Sequence, residues 1–352
     1  MECLVTTFSW SEPSLGAIRE AMAPGQVVEL AGHDQAALRT ALSRADAAVL
    51  AEDLPGELID APGLRWVHFV HAGVERSAKL EYLRGDLAMT SGAGRSAEAL
   101  AEHALFFMQA LNFRFPVFLD AQRAHCWGVS GQEELRALYG KTLGIVGLGH
   151  TGQALARKAR AFGMTVIAYR RRSHSCEDVD ELYCADDGAT LESLLRRSDF
   201  VVLAASLNDQ SHRLIGEREL AMMKSSAFLI NVARGEVVDE AALVRALDER
   251  KIAGAATDVA TQEPLPPDHP LWSAPNLLIT PHCTPKMPDR EARMLELVLE
   301  NIRRFREGQA LLNQLTVADA YSRRSSGSRH RAKPAHRLFR LLQRMRRRLK
   351  VS

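Results

Sequence analysis

Three polar residues, each placed shortly after an apolar run, carry the chemistry most open to reading in this sequence: Arg234 after AFLINVA, Glu263 after AGAATDVATQ and His282 after NLLITP. A guanidinium holds a carboxylate and polarises a carbonyl. An imidazole titrates near neutrality and exchanges a proton at working pH, and a neighbouring carboxylate favours its protonated form. Together they meet what reduction of a 2-oxo acid asks of a protein: a cation for the substrate, a proton donor for the carbonyl oxygen and control of that donor. Singly, each has a structural reading: Arg234 as a surface residue flanking a helix, Glu263 as turn chemistry before Pro264, His282 as a hydrogen-bonded structural histidine. Their joint placement after successive strands, the edge where open parallel sheets bind ligands, favours a site.

A second set lies in TLGIVGLGHTG, residues 142–152, where Gly147, Gly149 and Gly152 form G-x-G-x-x-G between an apolar strand and a helix. In that context the glycines permit a tight turn, close approach to a pyrophosphate and close helix packing. The amides of His150 and Thr151 then open the helix as an anion site. The next strand, TVIAY, ends in Arg170, Arg171 and Arg172, where an NAD site usually carries an acidic residue. Guanidinium groups there suit a ribose 2′-phosphate, so NADP(H) is expected over NAD(H). A solvated basic turn is the bland alternative.

These segments need a frame to hold them. The chain has 352 residues, enough for two domains, with 46% hydrophobic and 25% charged residues, the usage of a globular protein. No apolar run approaches the roughly 18–20 residues of a membrane span, and the start lacks a leader pattern, so a cytoplasmic location is expected. Cys3, Cys126, Cys176, Cys184 and Cys283 show no C-x-x-C spacing, which argues against disulfides and a structural metal. Cys283 reads as a small buried residue rather than a reactive thiol. Up to about residue 95, short apolar runs alternate with helical stretches. A long helix over 96–123, bent near Pro116, follows. From Lys141 the strand–helix alternation becomes regular and nearly unbroken in apolar residues, indicating an α/β fold with a parallel sheet covered on both faces. A second long helix spans 288–308, and 311–317 returns toward the first lobe. Of the 45 basic residues, 12 lie beyond residue 321 with no acidic residue beside them, leaving 33 against 43 acidic in the body, a net of −10. This tail, 322–352, reads as a solvated extension. Leu338, Leu342, Met345 and Leu349 at helical spacing offer the alternative of a basic amphipathic helix for anionic lipid, nucleic acid or an acidic protein.

SAEALAEHAL, GIVGLGHTG, INVARGEVVDEAALVRAL, TDVATQEPLPPDHPLW and NLLITPH, in this order, resemble the D-isomer-specific 2-hydroxyacid dehydrogenase family over about residues 1–320. The resemblance implies two doubly wound parallel-sheet, Rossmann-like domains with a basic C-terminal extension. Residues 1–98 and 288–321 would form a flavodoxin-like substrate-binding domain and 99–287 the dinucleotide-binding domain. It implies Arg234 as the substrate-binding arginine, His282 as acid/base, Glu263 as its carboxylate partner and Asp258 as an aspartate near the nicotinamide. HFVHAGVER resembles the substrate loop, with amides around Ala72 and Gly73 holding a carboxylate. Glyoxylate or hydroxypyruvate reduction to the D-2-hydroxy acid and a homodimer are further implications. The chain departs from the family at Ala260, at ASLNDQS and at CTPKMP, so the cofactor and substrate walls are expected to differ. A nucleotide-sensing regulator resembling the family's corepressors is the competing reading, against which the full Arg, Glu and His set counts.

Overall fold

The computed structural model describes residues 1–30, 34–54, 61–83, 85–172, 176–284 and 286–323. The tail expected from 322 therefore falls, beyond Arg323, outside the described residues. Two sheets organise the chain, each with all of its strands parallel. The first takes β1 (Cys3–Thr6), β2 (Gln26–Glu29), β3 (Ala47–Leu50), β4 (Trp66–Phe69) and β5 (Ala88–Ser91) in the order β2-β1-β3-β4-β5, the order of flavodoxin-like sheets. Helices α1 (Glu12–Met22), α2 (Gln35–Leu42) and α3 (Leu80–Leu83) connect its strands.

Two helices lead to the second sheet, α4 (Ala97–Asn112) and α5 (Phe115–Arg123). The bend expected near Pro116 falls slightly earlier, at Phe113 and Arg114, with Arg114 in the left-handed region at φ 50°. Pro116 instead lies in the first turn of α5, where its missing amide hydrogen costs no helical bond. The second sheet contains β6 (Thr142–Val146), β7 (Thr165–Arg170), β8 (Glu181–Cys184), β9 (Phe200–Leu203), β10 (Phe228–Asn231), β11 (Gly254–Thr257) and β12 (Leu277–Ile279), ordered β12-β11-β10-β9-β6-β7-β8. Its connections include α6 (His150–Ala161), α7 (Glu192–Arg197), α8 (Glu217–Met222) and α9 (Glu240–Asp248); α10 (Arg290–Arg306) closes the series. The strand order reverses direction between β6 and β9, which makes the carboxyl ends of those strands the natural ligand crevice.

The apolar runs form strands because both faces of each sheet are covered. In β9, Val201 and Leu203 point into a core shared with α7, α8 and α9, whereas Phe200 and Val202 point into one shared with α4 and α6. In the first sheet, Val5, Ala48 and Phe69 pack with Leu38 and Leu42 of α2. Leu4, Val49 and Trp66 face Ile18 of α1 and Met294, Val298 and Ile302 of α10. The late helix α10 thus returns to the first sheet. Among the described residues, no helix is long and apolar enough to cross a membrane.

Candidate active site

The glycine turn sits at the reversal point. Gly147 adopts φ 101°, and a Cβ there would lie 2.5 Å from the amide nitrogen of Ala205; one on Gly152 would lie 2.3 Å from the Gly147 carbonyl. Those two glycines are required by the protein's own backbone. Gly149 differs, because a Cβ on it would meet nothing within 4 Å, leaving open space over the start of α6. Open space beside the amides of His150 and Thr151, which have no acceptor among the described residues, is what a pyrophosphate needs, so the turn fits a dinucleotide. The His150 side chain serves another end: its Nε2 donates to Asn313 Oδ1 at 3.2 Å, and the ring packs against Gly94. Asn313 in turn donates to the carbonyls of Ser91 and Ala93, tying the start of α6 to the first lobe.

The three arginines after β7 do not act alike. Arg170 ends the strand half-buried and Arg172 is exposed. Arg171 departs from the expectation of a guanidinium waiting for phosphate: Nη1 donates to the Ala318 carbonyl at 2.8 Å and Nη2 pairs with Asp319 at 3.3 Å. Its buried Nε has no partner among the described residues. Ala318 and Asp319 belong to a C-terminal strap that bridges the lobes. Tyr321 donates its amide to the Ala78 carbonyl of the first lobe, while Asp209 of the second accepts from Ser322.

At the carboxyl end of β10, Asn231 shapes the turn, accepting from the Ala233 amide and donating to the Arg234 carbonyl. Arg234 projects from this turn toward the first lobe. Its Nε donates to Glu75 Oε1 at 3.0 Å, its Nη1 donates to the Ala233 carbonyl, and a Cβ on Gly73 would lie 1.4 Å from Nη2. Only glycine at 73 leaves room for that guanidinium. Burial opposes the charge of Arg234, but Glu75, Glu263 and Glu236 outweigh it and hold its pKa above the ordinary value. Burial, with the charge of Glu75, pushes the Glu236 carboxyl up. In the HAGVER loop, His71 Nδ1 donates to the Gly73 carbonyl at 2.7 Å. The amides of Ala72 and Gly73 have no acceptor among the described residues.

His282 follows β12 in the left-handed region at φ 49°, its amide donating to the Asp258 carbonyl. Its Nδ1 lies 2.7 Å from Glu263 Oε2, with side chains 38% and 28% exposed. The other Glu263 oxygen accepts from the Ala260 amide. Burial would raise the Glu263 pKa, but the His282 bond and charge, the Ala260 amide and the charge of Arg234 bring it below the ordinary value. A carboxylate accepting from Nδ1–H fixes the tautomer and leaves Nε2 able to exchange a proton. Arg234, Glu263 and His282, dispersed in sequence, thus face one place.

Asp258 is 1% exposed, and its carboxylate accepts from Thr280 Oγ1 at 2.6 Å, Thr284 Oγ1 at 2.9 Å and the Cys283 amide at 2.9 Å. Those bonds hold the His282 loop. Cys283 is exposed, which corrects the expectation of a buried residue; its thiol pKa is raised by desolvation and by Asp258, which disfavours a reactive thiolate. Glu75, Thr280 and Thr284 escaped the sequence reading. Glu75 stands two residues after Gly73 in the quoted HAGVER, but nothing local connects it to Arg234. Among the described residues no group of His, Cys, Asp or Glu is arranged to hold a metal ion.

A parallel sheet with a glycine turn at its reversal point, and an Arg, Glu and His set beside it, defines a nicotinamide-dependent oxidoreductase. The profile of the D-isomer specific 2-hydroxyacid dehydrogenase NAD binding domain matches residues 105–284. A glyoxylate reductase of Korarchaeum cryptofilum is 35% identical over 278 residues, 76% of this chain and 82% of that protein. The crystal structure of an NADPH-dependent glyoxylate/hydroxypyruvate reductase from Sinorhizobium meliloti in complex with NADP and sulfate superposes with a TM-score of 0.73 at 27% identity, covering 91% of this chain and 100% of that one. A D-isomer specific 2-hydroxyacid dehydrogenase from Xanthobacter autotrophicus in complex with NADPH and MES gives 0.74 at 28% identity, covering 90% and 98%. The chain belongs to the D-isomer specific 2-hydroxyacid dehydrogenase family and is an oxidoreductase for a 2-oxo acid and its 2-hydroxy acid.

Proposed function

We propose that the protein reduces glyoxylate or hydroxypyruvate to the D-2-hydroxy acid with NADPH in preference to NADH. The observation that carries this reading is the 2.7 Å contact of His282 Nδ1 with Glu263 beside Arg234. Arg234 and the amides of Ala72 and Gly73 orient the substrate carboxylate. His282, protonated and held by Glu263, gives its Nε2 proton to the carbonyl oxygen. The nicotinamide supplies the hydride to the carbonyl carbon when the cofactor is bound. Gly147, Gly149 and Gly152 with the amides of His150 and Thr151 receive the pyrophosphate, and Asp258 lies on the nicotinamide side. Arg170 and Arg172 favour the 2′-phosphate, with Arg171 joining once its strap contact yields; the names of the Sinorhizobium and Xanthobacter structures include the phosphorylated cofactor.

The domains divide as 1–98 with 288–321, which bind substrate, and 99–287, which bind the dinucleotide. The enzyme is a homodimer joined through α4 and α5, where Phe106, Phe113, Phe115 and Phe162 stand exposed around one groove with Trp127 and Tyr139 exposed nearby in the chain. A screen of NADPH and NADH oxidation across glyoxylate, hydroxypyruvate, pyruvate and bulkier 2-oxo acids tests the reading. Turnover of the two small substrates with a lower KM for NADPH supports it. A clear NADH preference overturns the cofactor assignment, and silence across the panel with nucleotide binding retained overturns the enzymatic one.

A further inference from the structure

We propose that His103, on α4, is a positioning residue for the reaction, acting through Thr280, Thr284 and Asp258 on the loop that presents His282; this rests on the reading of His282 as the acid. His103 is buried and stacked on Phe107, with ring centroids 4.5 Å apart. Its Nε2 lies 3.2 Å from Thr280 Oγ1, its Nδ1 3.4 Å from Thr284 Oγ1 and 3.8 Å from Asp258 Oδ2. Both threonine hydroxyls donate to Asp258, so either can accept from the ring N–H. The two threonines bracket His282, standing two residues before and two after it.

A non-glycine residue held at positive φ persists only where its surroundings over-determine it. Here the determinants are the bonds to Asp258, a buried carboxylate that has His103 Nδ1 3.8 Å from its Oδ2. Burial lowers the His103 pKa while the Asp258 charge opposes that shift, so at neutral pH the ring offers one N–H to the threonine pair. The same helix packs with α6, the helix that follows the glycine turn. One histidine therefore joins α4, which packs against the helix after the cofactor turn, to the loop of the proton donor, and its loss would let His282 drift from its productive position. A misplacement on the order of 1 Å is enough to cost about 10²-fold in rate.

The test uses the full chain with NADPH and whichever 2-oxo acid it turns over. His103→Leu is expected to lower kcat about 10- to 100-fold, with NADPH binding and the thermal midpoint little changed. His103→Asn, which retains a donor for one threonine, is expected to recover most of the loss. In a His282→Ala background the same His103→Leu change should cost little more, because its effect passes through His282. A readout independent of turnover is the labelling rate of the Cys283 thiol in a Cys126→Ser background, which should rise as the loop loosens. Should His103→Leu fail to fold, Thr284→Val carries the same expectations. Turnover within about twofold of wild type, equal losses with and without His282, or unchanged Cys283 labelling would overturn the proposal. An inactive wild type with faster Cys283 labelling in the variant would instead remove the proposed reaction and leave the loop's support intact.

Discussion

Arg234 and Arg171 make similar bonds to different effect. Each donates to a backbone carbonyl and reaches one carboxylate, Ala233 and Glu75 for the first, Ala318 and Asp319 for the second. Arg234 is also packed against the backbone of Gly73 and lies in the field of Glu263 and Glu236, which hold it charged and in place. Arg171 keeps a buried Nε without a partner among the described residues, and its contacts belong to the C-terminal strap. On the proposed reading, the end of the cleft that does the chemistry is preorganised before substrate arrives, as transition-state stabilisation requires. At the adenosine end, a ligand must compete for its arginine.

The largest expected effect separating the two is on turnover. Arg234→Met should lower kcat/KM for glyoxylate roughly 10²-fold or more, since truncating one partner of a buried charged pair costs about 2–5 kcal/mol. Arg171→Met should shift the NADPH to NADH ratio about tenfold or less and leave NADH-dependent turnover near wild type. A greater loss of NADH-linked kcat/KM in the Arg171 variant would dissolve the contrast.

The glycines sharpen it. Gly73→Ala places a methyl where Arg234 Nη2 lies, so the KM for the 2-oxo acid should rise while NADPH affinity holds. Gly149→Ala meets no protein atom, so it should fold normally and weaken NADPH binding instead. Fluorescence titration with NADPH and steady-state kinetics on both variants check this crossed pattern.

A smaller effect should appear in stability against pH. The folded pKa of Glu263 is depressed below its ordinary 4.5, so its contribution is fully present above that value and is lost as pH falls through the folded one. The thermal midpoint of wild type relative to Glu263→Gln should therefore keep a constant excess at neutral pH that shrinks as the solution is acidified below 4.5. An excess that grows on acidification would reverse the sign derived from the His282 contact.

What the sequence disclosed was whatever local pattern encodes. The buried strands of the second sheet, such as FVVL and FLIN, announce themselves as apolar runs, and the glycine turn is readable because its spacing follows one of them. Strand β8 is a different case: ELYC is short, lies at the sheet edge and begins with a charge, so no run marks it. The Arg, Glu and His set was legible because each member lies in the loop after a recognisable strand. The partnership of Glu75 with Arg234 spans 159 positions and both lobes, and the capture of Arg171 by Asp319 spans 148. Contacts of that range depend on how the lobes and the strap assemble, which residue types and spacing do not specify. The burial of Asp258 beneath the His282 loop belongs to the same category.

Single-turnover oxidation of bound NADPH by glyoxylate, compared between wild type and His282→Ala, addresses the central chemistry most directly. Removing the proton donor should slow that step by about 10²- to 10⁴-fold while the variant binds NADPH as tightly as before. An unchanged rate at full NADPH occupancy would contradict the assignment of His282 as the acid and, with it, the mechanism built on its contact with Glu263.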